Sequence, residues 1–178
     1  MGKRIQLSFF LLLGLLVCSG AFIAYRNLSA NKTQKLLLNN LPEITFSGLD
    51  RNSVSLKSLI KDQPNILIYF NSTCPICQSE AELLVTHFAG DNDINFMFVS
   101  SEPVAQVAKF QEFYKLNQLP NHSVASDTLY QLASHFKLTS VPATIVYDRN
   151  GELVEFFKGA VSMSALKSAI QKAHDSAH

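Results

Sequence analysis

An imbalance of charge is the first thing missing from this 178-residue sequence: 15 lysines and arginines stand against 14 aspartates and glutamates, a formal net charge of +1. Nucleic acid is therefore not expected as a partner, because no basic excess is available to neutralise phosphates. A second set of metal ligands is missing too. Two of the three cysteines are Cys74 and Cys77, the third is Cys18, and the five histidines (His87, His122, His135, His174, His178) form no paired motif. A zinc site built on Cys-x-x-Cys needs a second pair, so neither a metal nor a cofactor is expected. Internal repeats and low-complexity segments are absent. Charged residues reach only 16%, against a typical quarter, and hydrophobic residues 47%; an apolar N-terminal run accounts for part of the difference.

That run follows Lys3 and Arg4 and covers residues 5–25 without a charge. About twenty apolar residues suffice to cross a bilayer as a helix. Arg26, Lys32 and Lys35 follow it, so basic residues flank both ends and give no clear orientation. Three readings compete: an uncleaved signal anchor, a signal peptide cleaved near Ser19-Gly20-Ala21, and a lipoprotein signal with Cys18 lipidated. The apolar run continues through Phe22 and Ile23, and Val17 is bulkier than lipoprotein processing normally requires, so the anchor is favoured. The chain then divides into a membrane anchor (1–26), a polar linker (27–40) and one domain (41–178). Leu36-Leu37-Leu38 in the linker either extend the helix or lie at the interface.

The chemistry that is present gathers in Asn71-Ser72-Thr73-Cys74-Pro75-Ile76-Cys77-Gln78-Ser79-Glu80, which follows the apolar residues 66–70 and opens a helical pattern. Pro75 suits the first helical position, where its missing N–H has no intrahelical partner to lose. Cys74 then falls at the positive end of the helix. Free amides and the macrodipole favour the thiolate there, and the thiolate is the form that attacks a disulfide. Cys74 is the expected nucleophile. Cys77, one turn further in, is expected to be buried and to resolve the mixed disulfide. The competing reading is an inert buried pair.

The surrounding pattern is that of an α/β domain. Residues 43–46 and 53–56 alternate across a turn-rich stretch and read as a small hairpin, followed by one or two helical turns. Residues 66–70 and 94–99 are continuous apolar runs, as expected of strands buried on both faces. The helix after Cys74 is expected to carry Leu83, Leu84 and Phe88 inward and to stop near Gly90. Another starts near Pro103, with Val104, Val107, Phe110 and Tyr114 at helical spacing. A strand at Val124, a helix capped by Asp127 and a strand at 144–147 follow. Asp148-Arg149-Asn150-Gly151 then joins that strand to 152–157 as an antiparallel hairpin, and Ser162 or Ser164 caps a last helix carrying Leu166 and Ile170. The sum is a mixed sheet flanked by helices. Pro142 either merely initiates its strand or is a cis-proline that holds its loop against the dithiol, leaving the Val141 backbone free to pair with an incoming peptide.

The order of elements, Cys74-Pro75-Ile76-Cys77 and Val141-Pro142-Ala143-Thr144 together resemble the thioredoxin fold. More specifically, the chain resembles the membrane-tethered TlpA/ResA-type disulfide reductases and related redoxin domains of bacterial envelopes, from about Leu41 to the last helix. The resemblance implies a thioredoxin-like mixed central sheet, attack by Cys74, resolution by Cys77, and substrate contact at Val141 and Pro142 with Thr73 and Pro75 beside the nucleophile. It also implies a single-pass protein of the bacterial inner membrane with its domain in the periplasm or outside the cell membrane. Two departures stand out. There is no tryptophan, with Thr73 where an aromatic is common, and Ile68, six residues before Cys74, stands where thioredoxins carry a buried acid. Glu80 is the acid the family supplies. It is either a buried carboxylate of raised pKa that takes the Cys77 proton or an ordinary surface acid. The expected function is reduction of disulfides in envelope proteins, apocytochromes c being one class of client, with a membrane electron donor; Pro75-Ile76 does not set the direction of electron flow. Two alternatives are a peroxiredoxin-like peroxidase, which would carry threonine or serine where Asn71 stands, and a copper metallochaperone in which His122 or His135 completes a site with the thiolates.

Overall fold

A computed structural model describes residues 2–176, apart from the side chains of residues 2–12, 14, 24, 27, 30 and 31. The chain forms two compact units, Met1–Leu36 and Leu37–His178. Helix α1 spans Gly2–Asn39, so the stretch read as a linker is helical almost to its end. Leu38 is fully buried in the core of the second unit. Part of the membrane span expected at 5–25 falls on residues 5–12, 14 and 24, whose side chains lie outside the described residues. Among the described residues no helix is long and apolar enough to cross a membrane.

The second unit is built on seven strands: β1 (Thr45–Gly48), β2 (Ser53–Ser55), β3 (Asn65–Phe70), β4 (Asn95–Ser100), β5 (His122–Ser126), β6 (Ala143–Tyr147) and β7 (Leu153–Lys158). Their order is β2-β1-β5-β4-β3-β6-β7. Strands β3, β4 and β5 are parallel, while β6, β7, β1 and β2 join antiparallel. The apolar runs of β3 and β4 are continuous because both faces are covered. Ile66, Ile68 and Phe70 enter one core with Phe96 and Phe98, and Leu67 and Tyr69 enter the other with Met97 and Val99. Each fully buried side chain of this kind contributes about 1.5–3 kcal/mol.

Helices α3 (Pro75–Phe88), α4 (Val104–Phe113) and α6 (Met163–Asp175) close the first core, and α2 (Leu56–Leu59) and α5 (Gln131–Phe136) the second. On α3 the inward face is Cys77, Glu80, Ala81, Leu84 and Phe88. Leu83 is not part of it: it is 40% exposed, because it lies one residue, about 100°, around the helix from Leu84 and seven from exposed Ile76, on the same flank. The helix ends at Ala89, and Gly90 takes a left-handed φ of 81°. Asp127 caps α5 from a distance. The helix begins only at Gln131, after a turn through Tyr130, yet the Asp127 carboxylate accepts the Gln131 and Leu132 amides at 2.8 and 2.9 Å. At α6 Ser162 is the cap, accepting from the Ala165 amide at 3.2 Å.

The β6–β7 hairpin turns with only Gly151 at positive φ (78°), and a register shift falls between Val146 and Tyr147. A two-residue type I′ loop needs positive φ at both central positions. Here the Asp148 carboxylate instead accepts the Asn150 and Glu152 amides, both at 2.9 Å, and holds a wider turn. The strand directions bring the ends of β3, β4 and β5 and the start of β6 to one edge of the sheet. The candidate site lies there.

Candidate redox site

Strand β3 delivers the chain to Cys74, which is the N-cap of α3 with extended backbone (φ −78°, ψ 116°), and Pro75 takes the first helical turn. Both cysteines are free thiols, Cys74 half-buried and Cys77 buried. The two sulfurs differ in acidity. Desolvation works against a Cys74 thiolate, but the nearby Cys77 and Ile76 amides and the Cys77 thiol favour it and outweigh that effect and the Glu80 charge, holding Cys74 below its usual value, although its sulfur makes no capping hydrogen bond. Burial pushes Cys77 up to about 12, and the neighbouring Cys74 and Glu80 add to the shift. A helix N-terminus thus favours charge on the first sulfur, and the core disfavours it on the second.

Glu80 is only 4% exposed, which removes the surface-acid reading. Burial raises its carboxyl to about 6, partly offset by a hydrogen bond from Thr144. The Thr144 hydroxyl donates to Oε1 at 2.5 Å, while Oε2 has no partner among the described residues. Thr144 can do this because β6 alternates. Ala143, Ile145 and Tyr147 face the second core, whereas Thr144 and Val146 face the first, where Glu80 lies. A cleft of about 340 Å³ lined by Pro75, Ile76, Ser79, Leu83, Ala160 and Val161 has Glu80 in its wall.

The Val141–Pro142 peptide bond is cis. The Cys74 sulfur lies 3.9 Å from the Val141 carbonyl oxygen. Register with β3 begins only at Ala143, and the Pro142 carbonyl is taken by the Gly159 amide at 2.8 Å. Pro75 and Thr73 are exposed on either side of Cys74, and Thr73 donates through its amide and hydroxyl to Asn71 Oδ1. Cys74, Cys77, Glu80, Val141, Pro142, Thr73 and Pro75 therefore gather at one place.

Sequence reasoning missed a second group beside them. Ser72 is gripped by Glu102, Gln106 and Gln78, which come from the β4–α4 loop, α4 and α3. No spacing pattern marks Glu102, since it sits in a loop and reaches Ser72 only through the fold. Thr144 carried a fainter signal, as a polar residue on the Val146 face of an apolar strand.

The histidines a copper site would need are turned elsewhere. His122 Nδ1 lies 2.7 Å from the Leu119 carbonyl oxygen, and the His135 ring sits edge-on to Phe136. Among the described residues no three of His, Cys, Asp and Glu form a metal-binding group.

The redoxin family model matches residues 38–170. No curated protein matches the chain. Among solved structures, DsbF of Mycobacterium tuberculosis, determined in mixed oxidised and reduced forms, is 22% identical with a TM-score of 0.64, over 75% of this chain and 99% of that one. A secreted disulfide oxidoreductase of the same organism, described as homologous to E. coli DsbE, is 21% identical with a TM-score of 0.62, over 73% and 96%. The peroxidoxin BcpB, also of M. tuberculosis, is 18% identical with a TM-score of 0.61, over 76% and 94%. At such identities these likenesses establish the thioredoxin-like fold. With the family match spanning the sheet, the dithiol and the Val141–Pro142 loop, the chain belongs to the redoxin family and is a thiol-disulfide oxidoreductase.

Proposed function

We propose that the protein is a TlpA/ResA-type reductase of disulfides in bacterial envelope proteins, apocytochromes c among its clients, held at the inner membrane by residues 5–25 with its redox domain outside. The observation that carries the thiol chemistry of this reading is the placement of two free thiols within one helical turn: Cys74 half-buried at the N-cap of α3 with its sulfur 3.9 Å from the Val141 carbonyl oxygen, and Cys77 buried. Such a pair has one sulfur ready to attack and one held in reserve.

The Cys74 thiolate attacks a substrate disulfide, forming a Cys74–substrate mixed disulfide and releasing the other substrate sulfur as thiolate, which takes a proton from water. Cys77 then gives up its proton and attacks the Cys74 sulfur, expelling the second substrate thiolate. The Cys74–Cys77 disulfide that forms has lost two electrons, which the substrate has gained. A membrane electron donor returns them. Glu80, one turn beyond Cys77 on the same helix face, is the acceptor of the Cys77 proton, being largely ionised at neutral pH with its carboxyl at about 6. Loss of the Cys74 charge in the mixed disulfide removes one cause of the high Cys77 value. Val141 offers its main chain to the substrate peptide beside Cys74, and Thr73 and Pro75 flank the reacting sulfur.

The test is trapping in intact cells. Cys77→Ser should accumulate mixed disulfides with envelope proteins that reductant releases, and Cys74→Ser should accumulate none and lose turnover. If Cys77→Ser captures no partner although it is made at normal levels, the reading fails.

A further inference from the structure

We propose that Glu102 is a positioning residue for Cys74: by gripping Ser72 it holds the loop before α3 so that Cys74 stays at the N-terminus of the helix with its sulfur against the Val141 carbonyl. The inference deepens the reading of Cys74 as the attacking sulfur and rests on it.

Within residues 71–74 three hydrogen bonds are internal. The Thr73 amide and hydroxyl donate to Asn71 Oδ1 at 3.0 and 2.7 Å, and the Cys74 amide donates to the Asn71 carbonyl at 3.2 Å. Ser72 is where this loop is fastened to the rest of the protein. Its amide donates to Glu102 Oε2 and its hydroxyl to Oε1, both at 2.7 Å. The hydroxyl also accepts from Gln106 Nε2 at 3.0 Å, and the carbonyl accepts from Gln78 Nε2 at 2.8 Å. Two carboxylate oxygens meeting the N–H and O–H of one residue fix its direction as well as its distance, and charge-assisted bonds of this kind are the stronger ones.

Glu102 is itself held. Its Oε2 accepts from the Ser100 hydroxyl at 3.0 Å, its amide donates to Ser100 Oγ at 3.2 Å, and its carbonyl accepts from the Ser126 hydroxyl at 2.5 Å. Ser100 and Ser126, which end β4 and β5, are buried. The ends of two central strands are thereby connected to the residue two before the nucleophile.

The titratable groups acting on Cys74 are Cys77 and Glu80, both of α3, and the loop before β6 presents the Val141 carbonyl. Glu102 reaches the sulfur through Ser72. A carboxylate acting through space would disfavour a thiolate, so deleting it would lower the Cys74 titration midpoint. Losing the positioning has the opposite effect, because the sulfur leaves the positive end of the helix.

The experiment is iodoacetamide alkylation of Cys74 across pH, in the full chain with Cys18→Ser as parent. Glu102→Ala is expected to raise the midpoint by about one pH unit, which slows alkylation below the midpoint roughly tenfold. Ser72→Ala, which keeps the amide bond, should raise it less, and the double variant no further than Glu102→Ala. A depressed parent midpoint that neither variant raises overturns this inference alone, and a fall in the Glu102→Ala midpoint does the same by marking a through-space charge. A parent midpoint no lower than that of an ordinary thiol overturns the reading of Cys74 and this inference with it. Should Glu102→Ala fail to fold, the Ser72→Ala shift decides.

Discussion

In the proposed mechanism Glu80 places stability and turnover in opposition at a single carboxyl. Its folded-state value of about 6 lies above the ordinary 4.5, so the folded protein binds this proton more tightly than the unfolded chain does. The resulting stabilisation is present in full below about pH 4.5 and is lost as pH rises through 6, a loss of roughly 2 kcal/mol. Glu80→Gln should therefore lose less stability than the parent between pH 4.5 and pH 7.5, by up to that amount; urea titration of the reduced proteins at the two values measures it. The same variant should resolve mixed disulfides more slowly near neutral pH, by about a hundredfold if the carboxylate is the proton acceptor. The parent rate should also rise through about pH 6, whereas that of the variant should not. Equal resolution rates would remove Glu80 from the reaction.

At the scale of the element, α3 must seat Cys74 at its open end while packing its body into the first core. The two tasks use different faces. Leu84 is fully buried and Leu83 is 40% exposed, although the two are adjacent and chemically identical. Leu84→Ala should cost about 2–5 kcal/mol through lost burial and a cavity, whereas Leu83→Ala should stay within about 0.5 kcal/mol. Urea denaturation distinguishes them, and equal costs would mean that the helix is rotated from the position described. Alternation does for β6 what rotation does for α3. It sends Thr144 to Glu80 and its neighbour Ile145 to the opposite core, so a strand that is buried throughout still delivers one hydroxyl to the site.

For the whole molecule, the proposed anchor makes a prediction about location. The full chain should sediment with inner membranes and resist extraction by salt and alkali, and its domain should be cleaved by protease added outside spheroplasts. Recovery in the soluble fraction would leave the thiol chemistry standing and remove the anchor. On the proposed reading, a domain outside the inner membrane would also call for an electron donor in that membrane, as a soluble cytoplasmic reductant would not reach it.

Much of this architecture was legible in one dimension. Continuous apolar runs marked β3 and β4 because a strand covered on both faces needs no polar alternation. Pro75 after Cys74 marked the start of α3 because proline loses nothing there, and Asp148 to Gly151 marked a hairpin. Local signals of this kind act over a few residues and survive without a fold. They misplaced Leu83, and Asp127 capped α5 from further off than expected, because helix rotation and the exact first turn are settled by what packs against them. The sequence by itself determined two thiols at the start of a helix and the chain order of the elements around them. Only the tertiary structure decided that Thr144 meets Glu80, that the Val141 carbonyl stands beside Cys74 and that Glu102 holds Ser72. Those pairs are 64, 67 and 30 residues apart. No local preference connects such distances, and only the packing of the sheet brings them within reach.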